Sequence, residues 1–224
     1  MENHYNSDYF EWQKNTAQHN TIYLKKRFSK FISKNSSVLD FGCGGGFLLN
    51  SIDCKEKIGF DINLHALNNL REFGIKSCNN LNEIDENSID VIISNHCLEH
   101  IPNPLVSIKE LKTKLKNNGQ IILIVPHETI GNNYSPGDIN HHLYSWSPMT
   151  LGNLFSEAGF EVINVKAFRE ISLPKEHKLN KFIPKFGLNI FRKPYRVLRI
   201  LFDELNIKKL ETDGEVLIHA VNRN

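Results

Sequence analysis

Between Asp40 and Gly46 the chain reads Asp-Phe-Gly-Cys-Gly-Gly-Gly, with four glycines in five positions. Such a run lets the backbone turn sharply and lets a ligand approach the main chain closely. A plain strand-to-helix turn rarely needs so many glycines, so a nucleotide-type ligand is expected. A dinucleotide site wants G-x-G-x-x-G, with a pyrophosphate at the following helix N-terminus. Counted from Gly42, the third glycine position falls on Phe47, whose side chain obstructs the close helix–strand contact. The actual spacing is G-x-G-x-G, preceded by Asp40. An acid there suits a site for phosphate anions poorly and suits a ligand with a positive centre. Asp61 follows the apolar run Lys57 to Phe60. Its carboxylate can accept both hydroxyls of a ribose, at about 1.5–3 kcal/mol each, or it can cap the next helix.

Histidines and one acid supply the candidate bases. His100 and Glu99 come directly after the apolar run Ile89 to Ser94, and His96 lies near them. His141 and His142 fall close to Tyr144 and Trp146, a composition that suits either a substrate mouth or a surface loop. An imidazole titrates near neutrality and can take the proton of an acceptor group. His127 and Glu128 are weaker candidates. His127, His141 and His142 invite comparison with a metal site, but two adjacent histidines rarely hold one ion well, so no metal is expected.

These residues need a frame, and the hydrophobic pattern predicts it. Short apolar runs at Ser37 to Phe41, Lys57 to Phe60, Ile75 to Cys78, Ile89 to Ser94, Gly119 to Val125 and Phe160 to Phe168 read as strands. Pro126 is expected to end the fifth. Phe47 to Ile52, Leu64 to Leu70 and Leu105 to Leu115 read as helices, the second stopped by Gly74. Ser147-Pro148 offers an N-cap with proline at the first helical position, and Gly159 offers a stop. Gly214 to Val221 reads as a seventh strand, and Tyr9 to Ile32 carries helical periodicity. Alternating strands and helices predict an α/β fold with a mostly parallel sheet covered on both faces. Ligands of such sheets sit beyond the carboxyl ends of the strands, where the candidate residues fall.

Composition narrows the class. The chain has 224 residues, 40% hydrophobic and 23% charged, with net charge +2. That is a globular balance, and it offers no reason to expect nucleic acid as a partner. The four cysteines form no C-x-x-C pair, so neither a zinc site nor a redox dithiol is expected. The polar start has no apolar core of a signal peptide, and no run approaches 18 apolar residues, so a cytoplasmic protein is expected.

Four segments together resemble a known family: VLDFGCGGG, Asp61, DVIISNHCLEHIPNP and GQIILIVPHE. In this order they are similar to class I S-adenosylmethionine-dependent methyltransferases. The later HHLYSWSPMTLGNLFSEAGFEV resembles a broad small-molecule subgroup of that family. The resemblance implies a Rossmann-like, seven-stranded sheet whose last strand is antiparallel, which GEVLIHAV fits. It implies that S-adenosylmethionine meets Asp40, Gly42, Gly44 and Gly46 at its methionine end, with Phe41 and Cys43 in the same loop. Asp61 would hold the ribose and Ile62 would pack on adenine. Family members often carry an acid after the third strand for the adenine amino group; Asn79 stands there, so an amide would serve. Asn95 to His100 would pass beside the sulfonium. The catalytic candidates are then His142, His141, His100 and Glu99. The implied reaction is methyl transfer to a small molecule, with oxygen favoured over nitrogen and sugars or cell-surface polysaccharide precursors among the acceptors. A nicotinamide-dependent oxidoreductase and a non-catalytic cofactor-binding module are the competing readings.

The expected organisation is a helical cap over 1–35, the core over 36–168, a basic helical insert over 169–212 and the final strand over 213–224. Between Lys166 and Leu210 there are twelve Lys or Arg against four Asp or Glu. Three roles fit that insert: a packed helix with a solvated charged face, a lid for an anionic or nucleotide-linked acceptor, and a contact with anionic lipid. Oligomeric state is not legible.

Overall fold

Along each central strand the apolar side chains alternate between two cores. Leu39, Ile92, Ile121, Leu123 and Ile218 face one, while Val38, Val91, Ile93, Ile122, Ile124 and Leu217 face the other. That period of two is what a sheet buried on both faces requires. The computed structural model describes residues 20–128, 134–136, 138, 140–169 and 214–223. In chain order the elements are α1 (20–28), β1 (Ser37–Phe41), α2 (Phe47–Ser51), β2 (Glu56–Phe60), α3 (Leu64–Glu72) and β3 (Lys76–Cys78). Then come β4 (Ile89–Asn95), α4 (Pro104–Lys114), β5 (Leu115–His127), α5 (Pro148–Glu157), β6 (Glu161–Arg169) and β7 (Gly214–Val221).

The strands form one seven-stranded sheet in the order β3-β2-β1-β4-β5-β7-β6. Pairs among β1 to β5 are parallel, and β7 runs antiparallel to both β5 and β6. This is the Rossmann-like arrangement expected, helices on both faces included. Leu24, Phe28, Leu48, Leu49 and Leu70 of α1, α2 and α3 join one core, and Ile108, Leu111, Leu151 and Phe155 of α4 and α5 join the other. The sheet order reverses at β1, between β2 and β4, so a crevice opens there at the carboxyl ends.

Local chemistry sets the helix limits. Ser147 caps α5: its Oγ accepts the Thr150 N–H at 3.1 Å, and Pro148 fills the first position, where no N–H is needed. Asn63, rather than Asp61, caps α3 by accepting the His65 N–H at 3.0 Å. The fifth strand differs from expectation at both ends. It starts at Leu115, which pairs with Ile89, and bulges before Gln120 pairs with Val91. It also runs through Pro126 to His127. The β4 pairing has ended by Ile124, and the Pro126 carbonyl accepts the Trp146 N–H at 3.2 Å, so the missing proline N–H falls where no strand needs it. In α1, Leu24 and Phe28 are buried while Ile22 is 70% exposed. The basic insert expected over 169–212 lies outside the described residues except for the end of β6, as does the cap before residue 20. Among the described residues, no helix is long and apolar enough to cross a membrane.

One glycine inside β2 shows how closely helix and sheet approach. A Cβ on Gly59 would stand 2.0 Å from Leu70 Cδ2 and 2.9 Å from Cys43 Sγ. Leu70 is fully buried, so it cannot swing into solvent. Gly59→Ala is expected to cost about 1–3 kcal/mol by overpacking, lowering the thermal midpoint by several degrees. Gly59→Ala with Leu70→Ala should lose less than the two single changes summed. A purely additive pair in circular-dichroism melts would show that this contact does not limit the packing.

Candidate active site

The loop after β1 is held by the end of β2. Gly42 and Cys43 both donate backbone N–H groups to the Phe60 carbonyl, at 2.9 and 3.0 Å. Gly44 donates its N–H to Asp61 Oδ2 at 2.8 Å, and Asn63 donates to Asp61 Oδ1 at 2.8 Å. Such a path winds through left-handed backbone at Gly42 (φ 76°), Gly44 (φ 50°) and Gly46 (φ 74°). Gly42 has a steric reason as well, since a Cβ there would stand 2.4 Å from Cys97 Sγ. The spacing G-x-G-x-G thus records three consecutive demands of one turn. Phe47 opens α2 and packs edge-on against Phe73, with ring centroids 5.8 Å apart. The close approach to α3 is made instead at Gly46, whose Cβ would stand 2.8 Å from Leu70 Cγ.

A cavity of about 600 Å³ opens beyond the ends of β1, β2 and β4. Of the residues expected to bind a cofactor, Phe41, Gly42, Asp61, Ile62, Asn79 and His96 line it. Ile62 is 58% exposed, an apolar side chain left uncovered at the rim. Asn79 and Asn80 both line the cavity, and Asn80 spends its side-chain oxygen capping a short helical turn, accepting the Asn82 N–H at 3.0 Å. Asp40, Cys43, Gly44, Gly46 and Asn95 do not line this cavity; they stand behind or beside it. Asp40 is buried, and burial together with the nearby Asp61 carboxylate pushes its pKa up to about 8. Burial also raises Asp61, against the backbone N–H groups that hold it. Burial pushes the Cys43 and Cys97 thiols well above their usual range, so neither is a ready nucleophile. The cradle fits a nucleoside with a positive centre: its turn excludes side chains and the fixed Asp61 carboxylate faces the cavity, while Asp40, mostly neutral below about pH 8, stands behind.

Next to this cradle lies a chain of charged groups. Glu99 is fully buried, and neither of its oxygens has a hydrogen-bond partner among the described residues. Around its Oε1 stand His96 Nδ1 at 3.5 Å, His100 Nε2 at 3.8 Å and His142 Nε2 at 3.9 Å. His142 Nδ1 meets Glu128 Oε1 at 2.7 Å. On the other side, His96 Nε2 meets Glu215 Oε1 at 3.1 Å, and Glu215 Oε2 pairs with the buried Arg27 guanidinium. Burial opposes charge on His96, but Glu215 and Glu99 outweigh it and hold its pKa up to about 10. Burial lowers the pKa of His100, with Glu99 acting against it. Backbone bonds fix the geometry: the Glu99 carbonyl accepts the Leu143 N–H at 2.9 Å, clamping the 141–146 loop over β4.

The structure therefore gathers Glu99, His100 and His142 and brings only His100 of the three onto the cavity wall. The adjacent histidine pair parts company. His141 has a left-handed backbone (φ 49°) and an exposed side chain, outside that cluster. Tyr144 donates its hydroxyl to the Pro102 carbonyl at 2.8 Å, and Trp146 is buried in the core rather than lining a mouth. His127 is engaged with the Trp146 carbonyl at 2.8 Å. Sequence reasoning missed Arg27 and Glu215. Glu215 had a visible signal, an acid inside the apolar run GEVLIHAV; Arg27 had none beyond its aromatic neighbours.

A family model described as a methyltransferase domain matches residues 12–165. An uncharacterised protein of Methanocaldococcus jannaschii is 33% identical over 107 residues, 47% of this chain and 46% of that protein, so the match spans less than half of that relative's length. A ubiquinone biosynthesis O-methyltransferase of Neisseria meningitidis is 25% identical over 159 residues, 59% of this chain and 67% of that one. In fold, the chain resembles phosphoethanolamine N-methyltransferase 2 of Haemonchus contortus, solved with S-adenosyl-L-methionine. The TM-score is 0.58 and the identity 17%, over 92% of this chain and 52% of that one. With a matching family model over most of its length and the glycine cradle in place, this chain belongs to the methyltransferase-domain family.

Proposed function

We propose that this chain transfers a methyl group to a hydroxyl oxygen of a small-molecule acceptor. One observation carries the reading: a single cavity shares Gly42, Asp61 and Ile62 with His100. Cofactor-holding residues and a proton-accepting residue thus meet in one space. When bound, S-adenosylmethionine supplies an electrophilic methyl group on a sulfonium sulfur. The chain's own part begins with Asp61, which holds the ribose hydroxyls while the Gly44 and Asn63 N–H groups fix its carboxylate. Asn79 and Ile62 take the adenine. The loop from Asn95 to His100 faces the reacting end. His100 on the cavity wall takes the acceptor proton and shares it with His142, whose ring lies beside it and is oriented by Glu128, as the oxygen–carbon bond forms and the carbon–sulfur pair leaves on sulfur. Alignment within the cavity supplies much of the rate, an effect worth ~7–11 kcal/mol at best.

Oxygen is favoured because a hydroxyl needs a base and the Glu99–His100–His142 cluster provides one. The name of the Neisseria relative supports the same choice. Within the class, the resemblance favours sugars and polysaccharide precursors as acceptors. The test is formation of S-adenosylhomocysteine across a panel of hydroxyl and amine acceptors. Tight cofactor binding without turnover on any acceptor would support a non-catalytic module instead.

Asp61→Ala should weaken cofactor binding by about 100-fold or more, since two charged hydrogen bonds are lost. An unchanged calorimetric Kd would remove Asp61 from the ribose site. His142→Ala should lower turnover by about 10²–10⁴ while leaving cofactor affinity intact. Equal turnover would remove His142 from proton transfer. Asp40 gives a pH signature. Its folded pKa of about 8 lies above the ordinary 3.8, so between those values the folded state holds a proton that the unfolded state lacks. Stability from this group is full below about pH 3.8 and is lost as pH rises through about 8. Asp40→Asn should therefore stabilise the protein more at pH 9 than at pH 6, read as thermal midpoints. A gap independent of pH would show that Asp40 is ionised throughout.

A further inference from the structure

The buried carboxylate of Glu99 is the least explained group in the protein. It is fully inaccessible, and both oxygens lack hydrogen-bond partners among the described residues. An ionised carboxylate in such a place demands a positive partner. His96 is the nearest cation, but its Nδ1 stands 3.5 Å away, too long for a good hydrogen bond, and its Nε2 is given to Glu215. Two further nitrogens point at the same oxygen, His100 Nε2 at 3.8 Å and His142 Nε2 at 3.9 Å. The three groups offer ligand atoms that all lie within 4.8 Å of one another.

We propose that Glu99, His100 and His142 bind one divalent transition-metal cation, with Glu128 orienting His142. Ligand atoms around a tetrahedral zinc at ~2.1 Å stand about 3.4 Å apart. Side-chain rotations that move the ligand atoms together by up to about 1.4 Å therefore close the present spacing. The ring of His142 is set for this role. Its Nδ1 is held by Glu128 Oε1 at 2.7 Å, the carboxylate–histidine contact that fixes the tautomer and turns Nε2 toward an ion. The loop carrying His142 is itself pinned to the Glu99 carbonyl through Leu143. Two imidazoles and one carboxylate suit zinc, manganese, iron(II) or cobalt, and three protein ligands leave positions open. His100 lines the cavity, so the ion stands at its wall. Resting on the methyl-transfer reading, an open position there would take the acceptor oxygen and lower its pKa, so that its proton passes to water rather than to His100 or His142, which as ligands no longer accept it. The adjacent pair His141-His142 argued against a metal on sequence; the structure uses one of the pair and recruits Glu99 and His100 from a different strand end.

The test uses cobalt(II) as a spectroscopic probe on the full chain after chelator dialysis, with zinc and manganese measured by competition against a chromophoric chelator. Wild type should bind one equivalent and develop visible d–d bands. Glu99→Gln and His142→Ala should lose those bands, and Glu128→Gln should weaken binding by about 10–100-fold. His65→Ala, at an exposed histidine on α3, should bind like wild type. Circular dichroism and cofactor calorimetry on each variant report folding and the nucleoside cradle independently of the ion. Absent binding by wild type, or equal binding by folded Glu99→Gln and His142→Ala proteins, overturns the proposal. Either result with S-adenosylmethionine still bound leaves the methyl-transfer reading standing; loss of cofactor binding in wild type would instead sink that reading.

Discussion

Three backbone N–H groups and two acceptors govern this molecule. Gly42 and Cys43 converge on one carbonyl of β2, and Gly44 reaches the carboxylate just beyond it. A chain leaving β1 can meet those acceptors only by turning left-handed, which Gly42, Gly44 and Gly46 allow. The turn lays the loop against Cys97 and α3 so closely that neither Gly42 nor Gly46 has room for a side chain. Sheet register, the start of α2 and the floor of the cavity follow from that one knot of hydrogen bonds. Asp61 belongs to the knot as much as to the ligand, so fold and binding share a residue.

A second organising element is how the protein houses charge near the crevice. Arg27 is buried with its guanidinium over the Tyr23 and Phe168 rings, 4.3 and 4.5 Å from their centroids. It pairs with Glu215, which pairs with His96, which faces Glu99. Alternating signs along this row let three buried groups, Arg27, Glu215 and Glu99, and the half-exposed His96 each face an opposite charge. The row ties α1, β7 and the end of β4 together, so the helix ahead of the sheet is held to the site by charge as well as by Leu24 and Phe28.

Much of this was legible from residue order. Apolar runs placed every strand but the fifth to within a residue or two, because both faces of the sheet are buried. Ser147, Pro148 and Gly159 bounded α5 correctly because capping is local chemistry. Asp61, Gly42 and Ile62 could be placed on the cavity because strand ends in a parallel sheet share one edge. What failed to show depends on contacts between distant segments. The start of β5 at Leu115 rests on a bulge against Ile89, which no local pattern encodes. His141 and His142 look equivalent in sequence; only the clamp from Leu143 to Glu99 decides which one turns inward. The partnership of Glu215 with Arg27 spans 188 positions, and neither residue announces the other.

The place of β7 has a consequence for how the chain is built. It lies between β5 and β6 although both precede it in sequence, and among the described residues β6 pairs with β7 alone. A nascent chain that has emerged as far as residue 169 therefore carries one open edge on β5 and one strand with no neighbour. Both are ready templates for unwanted pairing. Insertion of Gly214–Val221 closes the gap and delivers Glu215 in the same motion, so closure of the sheet and completion of the charge row are one step.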